Sequence, residues 1–235
     1  MIRRILAFAF VSLCLSADYG AAAEAKADNA PVVDCDTYGA NSVDPDREAP
    51  GVNFVELNAA IALPACEAAA QQYPDSTRFI YQLGRAYHKA NRFADAAAWY
   101  QKAMERGSPF AEAGLALLYM TGQGVAQDYS KAATMFREAA DKGVLGAQNA
   151  MGILYSKGWG VPQDNVQAIV WYRKAAEGNA PNAEINLGIA YENGLGVEKN
   201  LDQAAAWYRK AAGQGIDVAK KMLEDVEAKI RSQAK

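Results

Sequence analysis

The sequence predicts an all-α protein of the α/α solenoid class, and three observations support this. Of its 235 residues 49 are alanine, whereas valine, isoleucine and leucine together number 39. The chain also holds 12 tyrosines, 7 phenylalanines and 4 tryptophans. This mixture of small and aromatic residues suits closely packed helices better than a parallel sheet rich in branched residues. The third observation is an internal repeat with a period of 36 residues.

The repeat consists of three gap-free copies, residues 108–143, 144–179 and 180–215. The copies share an early alanine, a tyrosine, two glycines spaced by one residue and followed by valine, an Asp or Asn, and a large apolar pair. In the second copy these columns are Ala147, Tyr155, Gly158, Gly160, Val161, Asp164, Trp171 and Tyr172. Agreement over so many columns in three copies defines a repeat array.

Each copy is predicted to form two helices. The first helix ends at the glycine pair, because glycine adopts positive φ at no steric cost. The second helix begins at Asp164 in the second copy and at Asn200 in the third, where the side chain can cap free amides. Gln167 and Gln203 follow three residues later, as in a capping box.

The segments that flank the three copies complete the array. Residues 76–107 follow the same plan without the Gly-x-Gly-Val loop, and residues 216–235 form an amphipathic closing helix with Met222, Val226 and Ile230 on its apolar face. Residues 26–75 carry two basic and nine acidic side chains, a net charge of 2 − 9 = −7. They are predicted to be an acidic N-terminal cap that includes a half repeat.

The residues of the three copies resemble Sel-one-like repeats (SLR), and residues 76–107 resemble the related tetratricopeptide repeat. The second half of a further tetratricopeptide unit is matched by Ala62, Cys66, Ala69 and Pro74. The sequence departs from the SLR pattern at Met135, where an aromatic residue is expected, and at Asn179, where glycine is expected. The resemblance implies a right-handed superhelix of antiparallel helix pairs. It also implies an adaptor for proteins or peptides, commonly in bacterial envelopes, and no particular reaction.

The N-terminus is predicted to be a signal peptide, residues 1–25, cleaved after about residue 23 or 25. Arg3 and Arg4 precede an apolar run, and small residues follow it. The run is too short to cross a bilayer, so no integral membrane anchor is expected. Lipidation at Cys14 is the less favoured alternative, because the residue before it is Leu13. The predicted location is therefore periplasmic or secreted.

Cleavage would leave two cysteines, Cys35 and Cys66, in an oxidising compartment. An even number of cysteines there favours one disulfide bond, which would tie the acidic cap to the first helix. The alternative is a pair of buried thiols.

Composition argues against several classes of function. The overall net charge of −3 gives no drive toward nucleic acid. The single histidine, His88, excludes a histidine-rich zinc site, and no metal or cofactor is predicted. Since nothing in the sequence places a nucleophile beside it, His88 is expected to face solvent rather than act in catalysis. A Ser-x-x-Lys match at residues 232–235 has no companion motifs and is treated as coincidence.

A basic face is predicted on the first helix of residues 76–107. In the tetratricopeptide geometry that the resemblance implies, its groove-facing positions are Arg78, Tyr81, Arg85, His88 and Lys89, and the same positions of the second copy include Asn149 and Ile153. Three permanent cations beside an aromatic ring suit a carboxylate or an acidic peptide, and amide and apolar groups continue such a peptide groove.

An alternative interpretation of the same cations involves no binding partner. Arg78 and Arg85 could neutralise the acidic cap, which holds Asp44, Asp46 and Glu48.

The predicted function is an exported, non-catalytic scaffold that binds an envelope or secreted protein or peptide through its helical-repeat groove. The alternatives are an envelope hydrolase that acts on peptidoglycan or a β-lactam, and a structural spacer without a partner. The fold alone does not choose between these functions.

Overall fold

The computed structural model describes residues 33–39 and 57–233. In these ranges the chain forms eleven α-helices and no strand, so the predicted all-α class is confirmed. The helices are α1 (Asp34–Gly39), α2 (Ala59–Gln72), α3 (Thr77–Lys89), α4 (Phe93–Glu105), α5 (Pro109–Thr121), α6 (Tyr129–Asp141), α7 (Leu145–Lys157), α8 (Asn165–Glu177), α9 (Pro181–Asn193), α10 (Leu201–Gly213) and α11 (Asp217–Gln233).

Some sequence predictions fall on other parts of the chain. The predicted signal peptide and its cleavage site lie outside the described residues, as do the acidic residues Asp44, Asp46 and Glu48.

The chain divides into two compact units, Met1–Ala147 and Gln148–Lys235. In the first unit α1 packs against both α2 and α3, and each helix from α2 to α5 packs against the next. In the second unit α8 packs against α9, α9 against α10, and α10 against α11. Consecutive helices therefore pair within each unit, as they do in a helical repeat array.

The loop between the paired helices of a copy is closed at its capping residue. The Asp164 carboxylate accepts hydrogen bonds from the backbone N–H groups of Val166 and Gln167, which confirms the predicted cap. The backbone N–H of Asp164 donates to the carbonyl of Tyr155 in the preceding helix, at 2.9 Å. Asn200 likewise accepts from the Gln203 amide at 2.9 Å. The capping residue therefore starts the second helix and also ties the loop back to the first.

In each of three helix pairs, a tyrosine ring packs directly against the backbone of a glycine on the facing helix. A Cβ atom added to Gly188 would lie 2.3 Å from Cε1 of Tyr208, and one added to Gly152 would lie 2.4 Å from the Tyr172 ring. Tyr208 is fully buried, and its hydroxyl donates to a carboxylate oxygen of Glu192 at 2.7 Å. This bond fixes the ring over the glycine. Because glycine has no side chain, the two helices approach so closely that any larger residue would overlap the ring.

Replacing Gly188 with alanine is expected to lower the free energy of unfolding by about 1–2 kcal/mol. The new methyl group would overlap the ring, which costs about 1–3 kcal/mol, and the better helix propensity of alanine offsets up to about 1 kcal/mol. The measurement is urea unfolding followed by circular dichroism.

Two variants control this experiment. Gly213 has no atom within 4 Å of an added Cβ, so Gly213→Ala is expected to be neutral or slightly stabilising. The first copy carries Ala116 and Phe136 in the columns of Gly188 and Tyr208. Adding Tyr208→Phe, which frees the ring from Glu192, is therefore expected to make the loss smaller than the sum of the two single losses. Additive losses would contradict the overlap as the cause.

The closing helix α11 buries the predicted apolar face. Val226 is fully buried in a cluster with Tyr208, and Met222 and Ile230 pack against the same cluster. On the outer side, Arg209 and Glu227 form an ion pair between α10 and α11 at 2.6 Å.

Candidate functional site

The candidate site lies on α3, whose start is fixed by a side-chain cap. The Ser76 hydroxyl oxygen accepts a hydrogen bond from the backbone N–H of Phe79 at 3.2 Å. Positions 78, 81, 85 and 88 follow at spacings of three and four residues and therefore share one face of the helix. This is the basic face predicted from the sequence.

A disulfide bond brings the N-terminal cap to this face. Cys35 on α1 is bonded to Cys66 on α2, with the two Cα atoms 4.6 Å apart and both side chains fully buried. The predicted disulfide, and with it the disulfide-tied N-terminal cap, is confirmed; the alternative of two thiols is wrong. Because Cys35 is fixed, the next residue, Asp36, is held against α3.

Asp36 is a buried carboxylate with three polar contacts. Its Oδ1 atom lies 3.0 Å from Nε of Arg78 in an ion pair and accepts a hydrogen bond from Nε2 of Gln82 at 3.1 Å. Its Oδ2 atom accepts from the backbone N–H of Val33 at 3.0 Å. Both charged side chains are almost fully excluded from solvent. A buried charge is tolerated only when it is paired and hydrogen-bonded in this way.

The Arg78–Asp36 pair bears on the alternative that Arg78 neutralises the acidic cap. Asp36 belongs to that cap, so this arrangement agrees with the alternative as far as Arg78 is concerned. Sequence reasoning missed Asp36 and Gln82. Two weak signals were present: Asp36 is adjacent to Cys35, and Gln82 follows Arg78 by one helical turn.

The other predicted residues of α3 are also largely buried. Tyr81 and Arg85 are 4% and 3% exposed, whereas Lys89 is partly exposed. The Tyr81 ring packs near the rings of Tyr100 and Phe110, with centroids 6.1 and 6.0 Å away. Partner binding by these residues stays a prediction.

His88 is buried, so the expectation that it faces solvent is wrong. It is 5% exposed and packs edge-on against Phe93 and Tyr100, at centroid distances of 5.5 and 6.1 Å. The Tyr100 hydroxyl lies 3.4 Å from Nδ1 of His88. Burial, and secondarily the nearby Arg85 cation, lower the pKa of His88 to about 4. The ring is therefore neutral in the folded protein at pH 7.

Lowering the pH from 7.5 to 5 is expected to remove about 2 kcal/mol of folding stability through His88 alone. The unfolded histidine binds a proton near pH 6.5 and the folded one only near pH 4. Its stabilising contribution is therefore complete above about pH 6.5 and falls as the pH drops toward 4.

The check compares the unfolding free energies of the wild type and His88→Gln at both pH values. The difference between the two proteins cancels the titration of the carboxylates that they share. A difference that does not change with pH would show that His88 titrates normally in the fold.

Asn149 and Ile153, the remaining predicted binding residues, lie in the second unit. They are 3% and 5% exposed, and Oδ1 of Asn149 accepts a hydrogen bond from Nδ2 of Asn186 at 2.8 Å. This bond links α7 to α9 within that unit and gives Asn149 a packing role. Whether either residue contacts a partner stays a prediction.

No group of three or more His, Cys, Asp or Glu side chains in the described part of the chain could hold a metal ion. Among the helices of residues 33–39 and 57–233, none is long and apolar enough to span a bilayer.

Taken together, the paired helices and the repeated columns define an α/α solenoid built from short helical repeats. The Sel1 repeat model matches residues 79–108, 109–144, 146–179 and 181–216. The chain therefore belongs to the Sel1 repeat family. The first match covers the unit that the sequence relates to the tetratricopeptide repeat.

Two solved structures illustrate the similarity. One is c5321, a protective antigen of uropathogenic Escherichia coli strains that displays an SLR fold, with 35% identity and a TM-score of 0.60 over 75% of this chain. The alignment spans 38% of the antigen's length. The other is a Sel1 repeat protein from Oxalobacter formigenes, with 30% identity and a TM-score of 0.61 over 67% of this chain and 68% of that protein. No curated protein matches the chain.

Proposed function

We propose that this protein is an exported, non-catalytic scaffold that binds a protein partner in the bacterial envelope or among secreted proteins. The observation that carries the proposal is the set of four Sel1 repeats. Their scaffold fold suggests a role in protein–protein interaction, because stacked repeats present extended surfaces whose residues vary without disturbing the core.

Export is supported by the cysteines and by the N-terminal sequence. The Cys35–Cys66 bond is of the kind that persists in oxidising compartments. The charged and apolar pattern of residues 1–25 is that of a cleaved signal. Intact-mass measurement of the mature protein is expected to give an N-terminus after residue 23 or 25. A mature chain that still begins at Met1 would contradict export by this route.

Partner binding is tested by crosslinking in the native compartment, followed by mass spectrometry of what is held. The double variant Arg85→Ala/Lys89→Ala is expected to recover less partner than the wild type, because it removes two cations of the predicted basic face. The matched control, Lys199→Ala/Lys221→Ala, also removes two positive charges, from exposed positions in the second unit. It is expected to recover partner normally.

The outcomes separate the alternatives. Normal recovery by a folded Arg85→Ala/Lys89→Ala chain would exclude these two residues from binding. No specific partner with the wild type, either before or after reduction of the Cys35–Cys66 bond, would favour a structural spacer. Labelling with a fluorescent penicillin tests the hydrolase alternative, and a stoichiometric covalent adduct would overturn the scaffold proposal.

A further inference from the structure

The short helix α1 is held to the rest of the chain at two adjacent residues. It has six residues, and an isolated helix of this length is not stable in water. Cys35 fixes it covalently to α2, and Asp36 fixes it by charge to α3. Helix α1 therefore lies against α2 and α3 as a bound peptide would, with the Cys35–Cys66 bond as its covalent attachment.

The receiving site on α3 has the chemistry of carboxylate recognition. Arg78 and Gln82 lie one helical turn apart and place a cation and an amide donor on the same oxygen of Asp36, at 3.0 and 3.1 Å. Both side chains are buried and therefore held in a fixed geometry. Hydrogen bonds and ion pairs to a charged acceptor are stronger than neutral ones, above all where water is excluded.

Recognition of this kind depends on the carboxylate group and not on the chain that carries it. An aspartate or glutamate from another polypeptide presents the same two oxygens as Asp36.

We propose that the Arg78–Gln82 site recognises an acidic peptide segment of the partner, and that Asp36 of α1 occupies the site as a competing ligand within the same chain. The disulfide-bonded chain is the closed state. The chain with both thiols free is the receptive state, in which α1 is no longer bonded to α2 and Asp36 competes for the site without the disulfide. This inference rests on the proposed function and names the partner chemistry for it.

The Cys35–Cys66 bond controls how strongly Asp36 competes, because it sets the effective concentration of Asp36 at the Arg78–Gln82 site. A ligand fixed covalently at an adjacent residue competes far more strongly than the same ligand without that bond, because the bond raises its effective concentration at the site. Opening the bond requires a dithiol donor. Two electrons and two protons pass to the cystine, giving two thiols, while the dithiol becomes a disulfide.

The test uses the full chain and a labelled peptide of residues 33–39 with alanine in place of Cys35, followed by fluorescence anisotropy. Three proteins are compared: the bonded wild type, Cys35→Ala/Cys66→Ala, and that variant with Asp36→Asn added. Affinity is expected to rise in this order, because first the covalent tether and then the competing carboxylate are removed. The last step is expected to gain about tenfold, the effect of one buried charged contact.

The matched control is a change in the peptide, which cannot unfold the protein. A peptide with asparagine in place of Asp36 is expected to bind about tenfold more weakly than the aspartate peptide. Equal binding of the two peptides, or equal binding by the bonded and unbonded proteins, would overturn the inference. Displacement of the peptide by acetate at the same concentration would also overturn it, since it would identify a site for small carboxylates.

Hydrogen exchange separates this inference from the function on which it rests. In the Cys35→Ala/Cys66→Ala chain the amides of α1 are expected to exchange faster than in the wild type. If they stay equally protected, α1 is not displaceable and the inference fails, while the scaffold proposal stands. If the peptide binds as expected but crosslinking of the unbonded chain, Cys35→Ala/Cys66→Ala, in the native compartment yields no partner, the proposed function fails and the carboxylate site remains.

Discussion

Replacing Gly196 with alanine is expected to lower the free energy of unfolding by about 3 kcal/mol. Gly196 has φ of +73°, a left-handed conformation that costs an L-residue about 1–2 kcal/mol. An added Cβ would also lie 2.2 Å from the carbonyl oxygen of Asn165 and 2.4 Å from its carbonyl carbon. Both are backbone atoms at the start of α8, so relief requires the loop to move, at a further cost of about 1–3 kcal/mol.

The matched control is Gly194, the other glycine of the same loop. Its φ is +72°, and the nearest atom to an added Cβ is Cβ of Lys199 at an ordinary 3.4 Å. Gly194→Ala therefore pays only the conformational cost and is expected to lose about 1–2 kcal/mol. Urea unfolding of both variants, followed by circular dichroism, gives the difference. Equal losses would show that the loop does not pack on α8 as closely as the structure has it.

The same contact recurs in the first unit. An added Cβ at Gly124 would lie 2.3 Å from the carbonyl carbon of Phe93, at the start of α4. The second glycine of the Gly-x-Gly-Val motif therefore lets its loop pack closely against the second helix of the preceding pair. Sequence reasoning assigned both glycines of the motif to positive φ alone, because a repeated column shows that glycine is needed and does not show what approaches it.

Local and repeated features were predictable from the sequence. The 36-residue period located the paired helices, because a column that recurs in three copies carries more weight than one helical pattern. Caps such as Asp164 were predictable because capping depends on neighbouring residues alone. The Cys35–Cys66 pairing followed because these two cysteines are all that remain after the predicted cleavage.

Long-range contacts at the candidate site were harder to predict from the sequence. The cap holds nine acidic residues, and adjacency to Cys35, which Asp34 shares, does not single out Asp36 as the partner of Arg78. The environment of His88 was predicted wrongly for a related reason. Eleven of the thirteen residues of α3 are buried, so the helix has almost no solvent-facing side for a periodicity argument to identify.

Removing the disulfide with Cys35→Ala/Cys66→Ala is expected to lower the free energy of unfolding by about 3 kcal/mol. The bond joins residues 31 apart in sequence, and the chain-entropy model gives about 3–4 kcal/mol for closing a loop of this length. Release of α1 in the native state returns part of that cost, because a freed segment regains conformational entropy. The loss is therefore expected to fall somewhat below the full entropic value.

Two further measurements distinguish the bond from the cavities that the substitutions leave. Cys66→Ala alone also removes the bond, and reduction of the wild type with dithiothreitol removes it without any substitution. All three are expected to shift the unfolding midpoint in the same direction, and an unchanged midpoint after complete reduction would show that the bond does not stabilise the fold.

Because α1 contributes only six residues, most of the loss reflects the freedom that the unfolded chain gains. Amides in α4 should therefore exchange faster only in proportion to the lower global stability, whereas those in α1 should exchange through local release at a still lower free energy.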